Sequence, residues 1–330
     1  MVRAAAACRF GLPVYGPRTV ERPRSAGYLT AEGKIRIVGY NDMAQMLASL
    51  CALFSVYHPD IAFDLVLKGT KTAPDALLAG RSLLAPMGAE FLPAEQAAYR
   101  TARGGDPLMI RVAHDSLNPL AKSSPTGIYV HRGNPLAALS LEMARRVFAA
   151  VPDPVTEWGA LGLHARWTHA PIRPHGLGEG TAIGTLLRLH KFGGAPFADN
   201  FVGHRQSREV IAALQQEPFG IAFANLNHAT AQVRALPLSE HVGGPAFAGT
   251  VANLRAERYP LDRALLIYLA RDGTGRLDPL AQELTRFILS CEGQQAIAAG
   301  TLGYIPLSAA AATRELAKLD RQRTPASIRS

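Results

Sequence analysis

We predict that the chain folds as a two-lobed α/β protein, from its length and from the order of its predicted strands and helices. Its 330 residues exceed the roughly 100–200 residues of a usual single-core domain, which favours two lobes. Short apolar strands alternate with helices along most of the chain, a pattern typical of mixed, mainly parallel sheets flanked by helices. With 48% hydrophobic and 18% charged residues, the composition is that of an ordinary globular protein.

The first third of the sequence predicts two successive strand-loop-helix units. Their elements are a strand at Ile35–Val38, a helix at Met43–Tyr57, a strand at Ile61–Leu67 and a helix at Pro74–Ala79. The first of these helices is apolar, but polar residues interrupt it and it falls short of the roughly 20 residues of a membrane span. We therefore expect a buried helix there.

The same alternation continues to the end of the predicted fold. The later strands are expected at 127–131, 219–224 and 264–270, and the later helices at 140–149, 182–190, 207–217, from 279 and at 292–299. Asp278 precedes Pro279, which predicts a helix start with an N-cap side chain and a proline in the first turn.

The two ends of the chain are predicted to lie outside the folded lobes. Residues 1–32 are rich in Arg, Pro and Gly without periodicity, which indicates a loose leader. Residues 311–330 are expected to form a poorly packed basic tail. The first residues lack the apolar run of about 7–15 residues that defines a secretory signal, so no convincing signal peptide is predicted.

Charge and cysteine content exclude several classes of function. The formal charge of +9 is scattered, without interleaved aromatic residues, so no nucleic-acid partner is expected. Cys8, Cys51 and Cys291 match neither a metal-ligand spacing nor a disulfide framework, and the last two are predicted to be buried small hydrophobes.

Several segments together resemble the phosphate-binding proteins of ABC transporters. The residues that carry the resemblance are Ile128–Leu136, Leu139–Phe148 with Trp158, Tyr259–Leu261, Leu265–Leu269, Phe287–Gln295 and Gly303–Leu307. The resemblance covers roughly residues 34–308, and its C-terminal part is the most specific.

The resemblance implies a periplasmic-binding-protein (venus flytrap) fold whose lobes close over a ligand in a cleft. Lobe 1 would comprise 33–115 plus 256–310, and lobe 2 would comprise 116–255. The implied ligand is phosphate or a related oxyanion, delivered to the membrane subunits of an ABC transporter or sensed. A monomer in the periplasm or outside the cell, without cofactor, metal or enzymatic activity, completes this expectation.

Three loops occupy the places where this fold holds its anion. Backbone N–H groups and helix N-termini bind anions there, because each terminus carries roughly half a positive charge. The predicted ligand-binding residues are Tyr40, Asn41, Asp42, Gly69, Thr70, Lys71, Met87, Gly88, His175, Gly178, Glu179, Gly180 and Thr181.

The third loop departs from the pattern of the family. The family typically has Ser-Gly-Thr there, with an arginine four residues before the serine, whereas this chain has Glu179-Gly180-Thr181 with His175 in the arginine's place. A carboxylate about 3–4 Å from phosphate would repel it by several kcal/mol if poorly screened. Three explanations stay open: Glu179 turns outward, His175 or Arg173 neutralises it, or the ligand is not phosphate.

The sequence also allows or excludes several other functions. The altered loops also allow a homologue that has lost phosphate binding and acts as a regulatory or interaction module, or binds a different small solute. Neither a nucleotide-binding glycine loop nor a nucleophile elbow is present. The spacing of His164, His169 and His175 matches no known metal-ligand frame, which favours surface histidines. Trp158 and Trp167 are predicted to be packing residues.

Overall fold

The computed structural model describes Cys8 and residues 11–320, and the chain forms two compact units. Unit 1 contains the chain up to Asp115 and again from Ala264, and unit 2 is Ser116–Arg263. The return to unit 1 thus lies later than the predicted residue 256. Both units contain sheets flanked by helices, so the predicted two-lobed α/β fold is confirmed.

The strands are short and spread over both units. In chain order they are β1 (Ile35–Val38), β2 (Phe63–Val66), β3 (Ala85–Met87), β4 (Leu108–Ser116), β5 (Thr126–His131), β6 (Leu139–Ser140), β7 (Arg173–Leu177), β8 (Val202–His204), β9 (Gly220–Asn225), β10 (Val233–Ala235), β11 (Leu238–Ser239), β12 (Ala264–Leu269) and β13 (Tyr304–Ile305).

The helices fill the connections between these strands. In chain order they are α1 (Ala44–Tyr57), α2 (Ala73–Leu78), α3 (Pro93–Arg103), α4 (Leu141–Phe148), α5 (Ala182–His190), α6 (Ser207–Gln215), α7 (Val251–Arg255), α8 (Pro279–Ile288), α9 (Cys291–Ala298) and α10 (Ala309–Leu319). The predicted cap is present at α8, where Oδ1 of Asp278 accepts hydrogen bonds from the backbone N–H groups of Leu280 and Ala281. None of the helices in the described part of the chain is both long and apolar enough to cross a bilayer.

Unit 1 contains two sheets. Strands β1 and β2 pair in parallel, and β13, β4, β12 and β3 form a four-stranded sheet in that order. The pairs of β12 with β4 and with β3 are antiparallel, because β4 carries the chain out of the unit and β12 carries it back alongside. Helices α1, α8 and α9 cover the core, with Leu47, Phe54 and Phe287 fully buried.

Unit 2 is built on a five-stranded sheet with the order β10-β5-β9-β7-β8. Strand β7 is parallel to both β8 and β9, whereas β5 is antiparallel to both β9 and β10. The sheets are therefore mixed, with more antiparallel pairing than the mainly parallel arrangement expected. Trp158 and Trp167 are buried against each other with ring centroids 5.8 Å apart, which confirms them as packing residues.

The predicted loose leader is wrong for the residues that the structure describes. Leu12, Tyr15 and Tyr28 are buried in the core of unit 1, and the Tyr15 hydroxyl donates a 2.6 Å hydrogen bond to Glu283. A disulfide joins Cys8 to Cys291 at the start of α9, so the expectation of no disulfide is also wrong. Cys51 is buried, as predicted.

The predicted tail is likewise corrected over its first part. Helix α10 begins after Ser308, whose hydroxyl accepts a hydrogen bond from the backbone N–H of Ala311, and it packs on the core of unit 1. The carboxylate of Glu315 is buried and accepts hydrogen bonds from Nε of Arg111 on β4 at 3.0 Å and from Nζ of Lys318 at 2.6 Å. The remaining predicted tail, 321–330, lies outside the described residues.

Candidate functional site

The loop after β1 is held by hydrogen bonds from two tyrosines. The Tyr40 hydroxyl donates to Oδ2 of Asp42 at 2.8 Å, and the Tyr304 hydroxyl donates to the backbone oxygen of Asp42, also at 2.8 Å. A short 3-10 helix at Asn41–Met43 then runs directly into α1. The side chain of the N-cap residue, Tyr40, does not cap this first turn. The backbone N–H groups of the turn therefore have no acceptor from the cap residue.

The loop after β2 lies next to the loop after β1. The backbone N–H of Gly69 donates to the oxygen of Gly39 at 2.9 Å, and the Thr72 hydroxyl donates to the oxygen of Gly69 at 2.8 Å. Gly69 has φ 125°, a conformation that disfavours side chains, so glycine is required at this turn. Thr70 and Lys71 follow in a 3-10 helix, and Lys71 is exposed. The structure therefore brings the predicted residues of both loops together.

Strand β3 contributes a close contact of a different kind. A β-carbon at Gly88 would meet the ring of Tyr40, so the absence of a side chain lets that ring lie on the backbone. Met87 is 1% exposed, and its side chain packs among apolar residues such as Leu77 and Phe91. Met87 therefore stays a predicted ligand-binding residue, with its backbone as the part that can contact a ligand.

The loop after β7 leads into α5 and is closed by its own hydrogen bonds. Thr181 is the N-cap: its hydroxyl accepts from the N–H of Gly184 at 3.0 Å and donates to the oxygen of Gly178 at 2.8 Å. The N–H of Gly178 donates to the oxygen of His204 at 2.9 Å, which fixes the loop to β8. Gly180 is exposed.

Glu179 points away from the cap toward the side of α5. Its Oε1 lies 3.3 Å from Nε of Arg188, and its side chain is 56% exposed. Arg173, by contrast, pairs with Glu217 at 3.4 Å. Of the three explanations left open, the structure supports an outward Glu179, with Arg188 as the neutralising residue in place of His175 or Arg173.

His175 is half-buried on β7 instead of lying on the surface. Its Nδ1 is 3.3 Å from Nε2 of His204 on β8, and the two rings are stacked. Burial lowers the pKa of His175, and the neighbouring His204 and Arg173 lower it further, while Glu217 opposes them. His175 is therefore a neutral imidazole near pH 7 and does not supply the positive charge of an arginine.

Comparison with known proteins relates almost the whole chain to one kind of receptor. No protein-family model matches. The phosphate-binding protein PstS of Pseudomonas aeruginosa is 26% identical over 308 residues, which cover 92% of this chain and 91% of PstS, and the same figures hold for strains PAO1 and UCBPP-PA14. The chain is therefore similar over nearly its whole length to a phosphate-binding protein. The resemblance read from the sequence is confirmed.

Solved structures support the fold of this family. PstS from Borrelia burgdorferi superimposes with a TM-score of 0.59 at 13% identity, covering 82% of this chain and 98% of that one. An ABC-type phosphate transport receptor from Vibrio cholerae gives 0.57 at 16% identity, covering 83% and 99%. At these sequence identities the structures are evidence for the fold alone.

Three residues of the site were missed by sequence reasoning, and each acts from a distance in the chain. Tyr304 reaches Asp42 from near the C-terminus, His204 reaches His175 from the next strand of the sheet, and Arg188 reaches Glu179 along α5. Of these three residues, only Arg188 had a signal in the sequence, because it is a basic residue on the helix that follows the loop. Within the described residues, no group of three or more His, Cys, Asp or Glu side chains is placed to hold a metal ion.

Proposed function

We propose that this chain is a solute-binding protein that captures phosphate or a closely related oxyanion and delivers it to an ABC transporter. The observation that carries the proposal is the relationship to PstS, which spans nearly the full length of both chains. The relatives are phosphate-binding proteins by name, and a protein of the same fold from Vibrio cholerae is an ABC-type phosphate transport receptor by name, and we propose the same non-enzymatic role here.

The loops after β1, β2 and β7 provide the chemistry that an oxyanion requires. In each one a strand ends, a glycine-containing loop follows, and a helical turn begins with its N–H groups pointing back at the strand end. Such N–H groups, with the partial positive charge of a helix start, bind anions without a fixed countercharge. We propose that the N–H groups of Asn41–Met43, with the side chains of Thr70 and Lys71, form the anion-binding turn of unit 1. In unit 2 we propose the N–H groups of Glu179 and Gly180, because those of Gly178 and Thr181 already donate to the oxygens of His204 and Gly178.

The disulfide supports a location outside the cytoplasm. Disulfides persist in the periplasm and outside the cell, and are rare where thiols are kept reduced. Cys8 and Cys291 form such a bond across almost the whole chain. We propose a periplasmic or extracellular monomer, and size-exclusion chromatography with light scattering tests the monomer.

Titration of the full chain with inorganic phosphate tests the proposed ligand. A ligand present at 100 times its dissociation constant stabilises the fold by about 2.7 kcal/mol, which thermal denaturation detects easily. Isothermal titration calorimetry with phosphate, sulfate and phosphonates then ranks the anions. Saturable phosphate binding supports the proposal; a response to a different solute, or to none of these anions, contradicts it.

Two pairs of variants test how the loops take part. Lys71→Gln removes an exposed charge from the loop after β2, and we expect phosphate affinity to fall about 3- to 10-fold. Lys34→Gln is the matched control: Lys34 is also exposed on unit 1 but precedes β1, at the end of that strand away from the loops, and the substitution should change the affinity by less than about twofold. Equal losses in both variants would show a general charge effect and contradict the assignment of Lys71.

The second pair tests the orientation of Glu179. With its carboxylate on Arg188, Glu179→Gln should change phosphate affinity by less than about threefold. If the carboxylate faced the anion, removing its charge would raise the affinity at least about tenfold. Glu217→Gln, which removes a carboxylate paired with Arg173 on the same unit, is the control for loss of one negative charge.

A further inference from the structure

Two imidazoles of unit 2 lie side by side on one face of its sheet. Strand β8 pairs in parallel with β7 so that His204 is opposite Leu177 and Val202 is opposite His175. Because successive side chains of a strand alternate between faces, His175 and Leu177 share the face on which His204 also lies. Gly176 between them approaches the Phe223 ring on the other face.

The separation of the two ring nitrogens matches that of two ligands on one metal ion. Nδ1 of His175 and Nε2 of His204 are 3.3 Å apart. Imidazole nitrogens bind zinc at about 2.0–2.1 Å with tetrahedral angles, which puts two such nitrogens about 3.3–3.4 Å apart. A metal ion can therefore take the place of the proton between the two nitrogens once the rings turn so that both nitrogen lone pairs face the ion.

The main chain around the pair is fixed by contacts that do not involve the rings. The backbone oxygen of His204 accepts the N–H of Gly178, and β7 is paired on its other side with β9. Both imidazoles are therefore carried by strands of one sheet, an arrangement that holds ligands more precisely than loops do. Both rings are also partly exposed, which gives an ion access from solvent.

The chemistry of the pair selects the class of ion. Neutral imidazole suits zinc, copper and nickel, whereas magnesium and calcium require oxygen ligands. Because the described residues include no third side chain of the metal-binding type at this place, the remaining positions would be filled by water or a small anion. This is the arrangement of an open site, in contrast to a closed structural one.

We propose that His175 and His204 together bind one divalent transition metal ion of the zinc, nickel and copper class, with coordination positions left open to solvent. On binding, the proton between the rings moves by way of solvent to the outer nitrogen of the ring that carried it, so each ring keeps one proton on the nitrogen that does not face the ion and no net proton is released. The metal site does not rest on the proposed binding of phosphate, since it is argued from the two imidazoles alone.

Metal titration of the full chain tests the site. The protein is stripped with EDTA, dialysed into phosphate-free buffer and titrated with nickel chloride by calorimetry, with zinc chloride as a second probe. Each of the variants His175→Asn and His204→Asn should either bind one equivalent of nickel fewer or bind that equivalent with an affinity at least about tenfold lower. His169→Asn is the matched control, because His169 is on the same unit with a side chain that is 87% exposed, and it should leave that equivalent unchanged.

Two results would overturn the proposal. One is nickel uptake by His175→Asn and His204→Asn that equals uptake by the unsubstituted chain; the other is no uptake by any of the proteins. His204→Gln provides a second variant if His204→Asn fails to fold, and circular dichroism identifies that case. Phosphate titration of the same metal-free proteins is read separately, so failure of the metal site and failure of the proposed function give different results.

Discussion

Loss of the disulfide is predicted to destabilise unit 1 substantially. The bond joins Cys8 to Cys291 across a sequence separation of 283 residues. The chain-entropy relation gives about 5–6 kcal/mol for a closed loop of this length, while native disulfides typically contribute about 2–4 kcal/mol. Because the N–H of Cys291 also donates to the oxygen of Pro13, part of the attachment survives reduction. We therefore expect a loss of about 2–4 kcal/mol.

The assay combines thiol counting with denaturation. Alkylation of the denatured chain should label one thiol without reductant and three with it, since the chain has three cysteines. Burial raises the pKa of Cys51 to about 12, so the native protein should not be labelled there. The melting temperature of Cys8→Ser should fall by about 4–16 °C.

The melting temperatures of Cys291→Ser and of the double variant should fall by nearly the same amount as that of Cys8→Ser, because each change removes the same bond. Reaction of three thiols without reductant would rule out the disulfide. Its predicted contribution to stability is refuted if the single losses add in the double variant, or if reduction leaves the melting temperature within about 1 °C.

Two further predictions concern ionisable side chains packed in unit 1. Glu315→Gln should cost about 2–4 kcal/mol in urea denaturation, because it leaves Arg111 without its buried carboxylate partner, and an unchanged urea midpoint would contradict the docking of α10. Burial lowers the pKa of His58 while Glu283 opposes this, so the folded state favours the neutral ring and stability should decline as pH falls through about 6.5. His58→Gln should flatten this decline between pH 7.5 and 5.5 relative to the exposed control His169→Gln, and parallel pH profiles would exclude His58 as its source.

Local sequence was sufficient for most elements of the fold and failed where order comes from distant contacts. The cap at Asp278 and the strand at Ile35–Val38 follow from residues within a few positions, and both are where they were expected. The leader and tail were misassigned because their partners are remote: Tyr15 finds Glu283, and Glu315 finds Arg111. No local spacing encodes such pairs.

Helix α10 shows why a helix of small residues is hard to recognise. The buried residues of this helix are Ala311, Ala312, Glu315 and Leu319. Alanine and a carboxylate thus occupy most of the positions at which larger apolar residues usually produce a recognisable helical periodicity. Ser308 was a readable N-cap, but a cap alone predicts a helix start and says nothing about docking. The burial of Glu315 is explained only by its partner Arg111 on β4, which is distant in the sequence.

The third loop combines both kinds of information. Glycine content and position in the chain were enough to place Gly178–Thr181 at a helix start, whereas the direction of Glu179 depends on Arg188 farther along α5. Relative to the Ser-Gly-Thr pattern, the loop by itself has one additional negative charge, at Glu179, and lacks the arginine that His175 replaces. With Arg188 included, the pair is neutral, so Glu179 adds no net negative charge to this part of unit 2. The departure from Ser-Gly-Thr is therefore no electrostatic argument against an anionic ligand, which agrees with the phosphate binding proposed above.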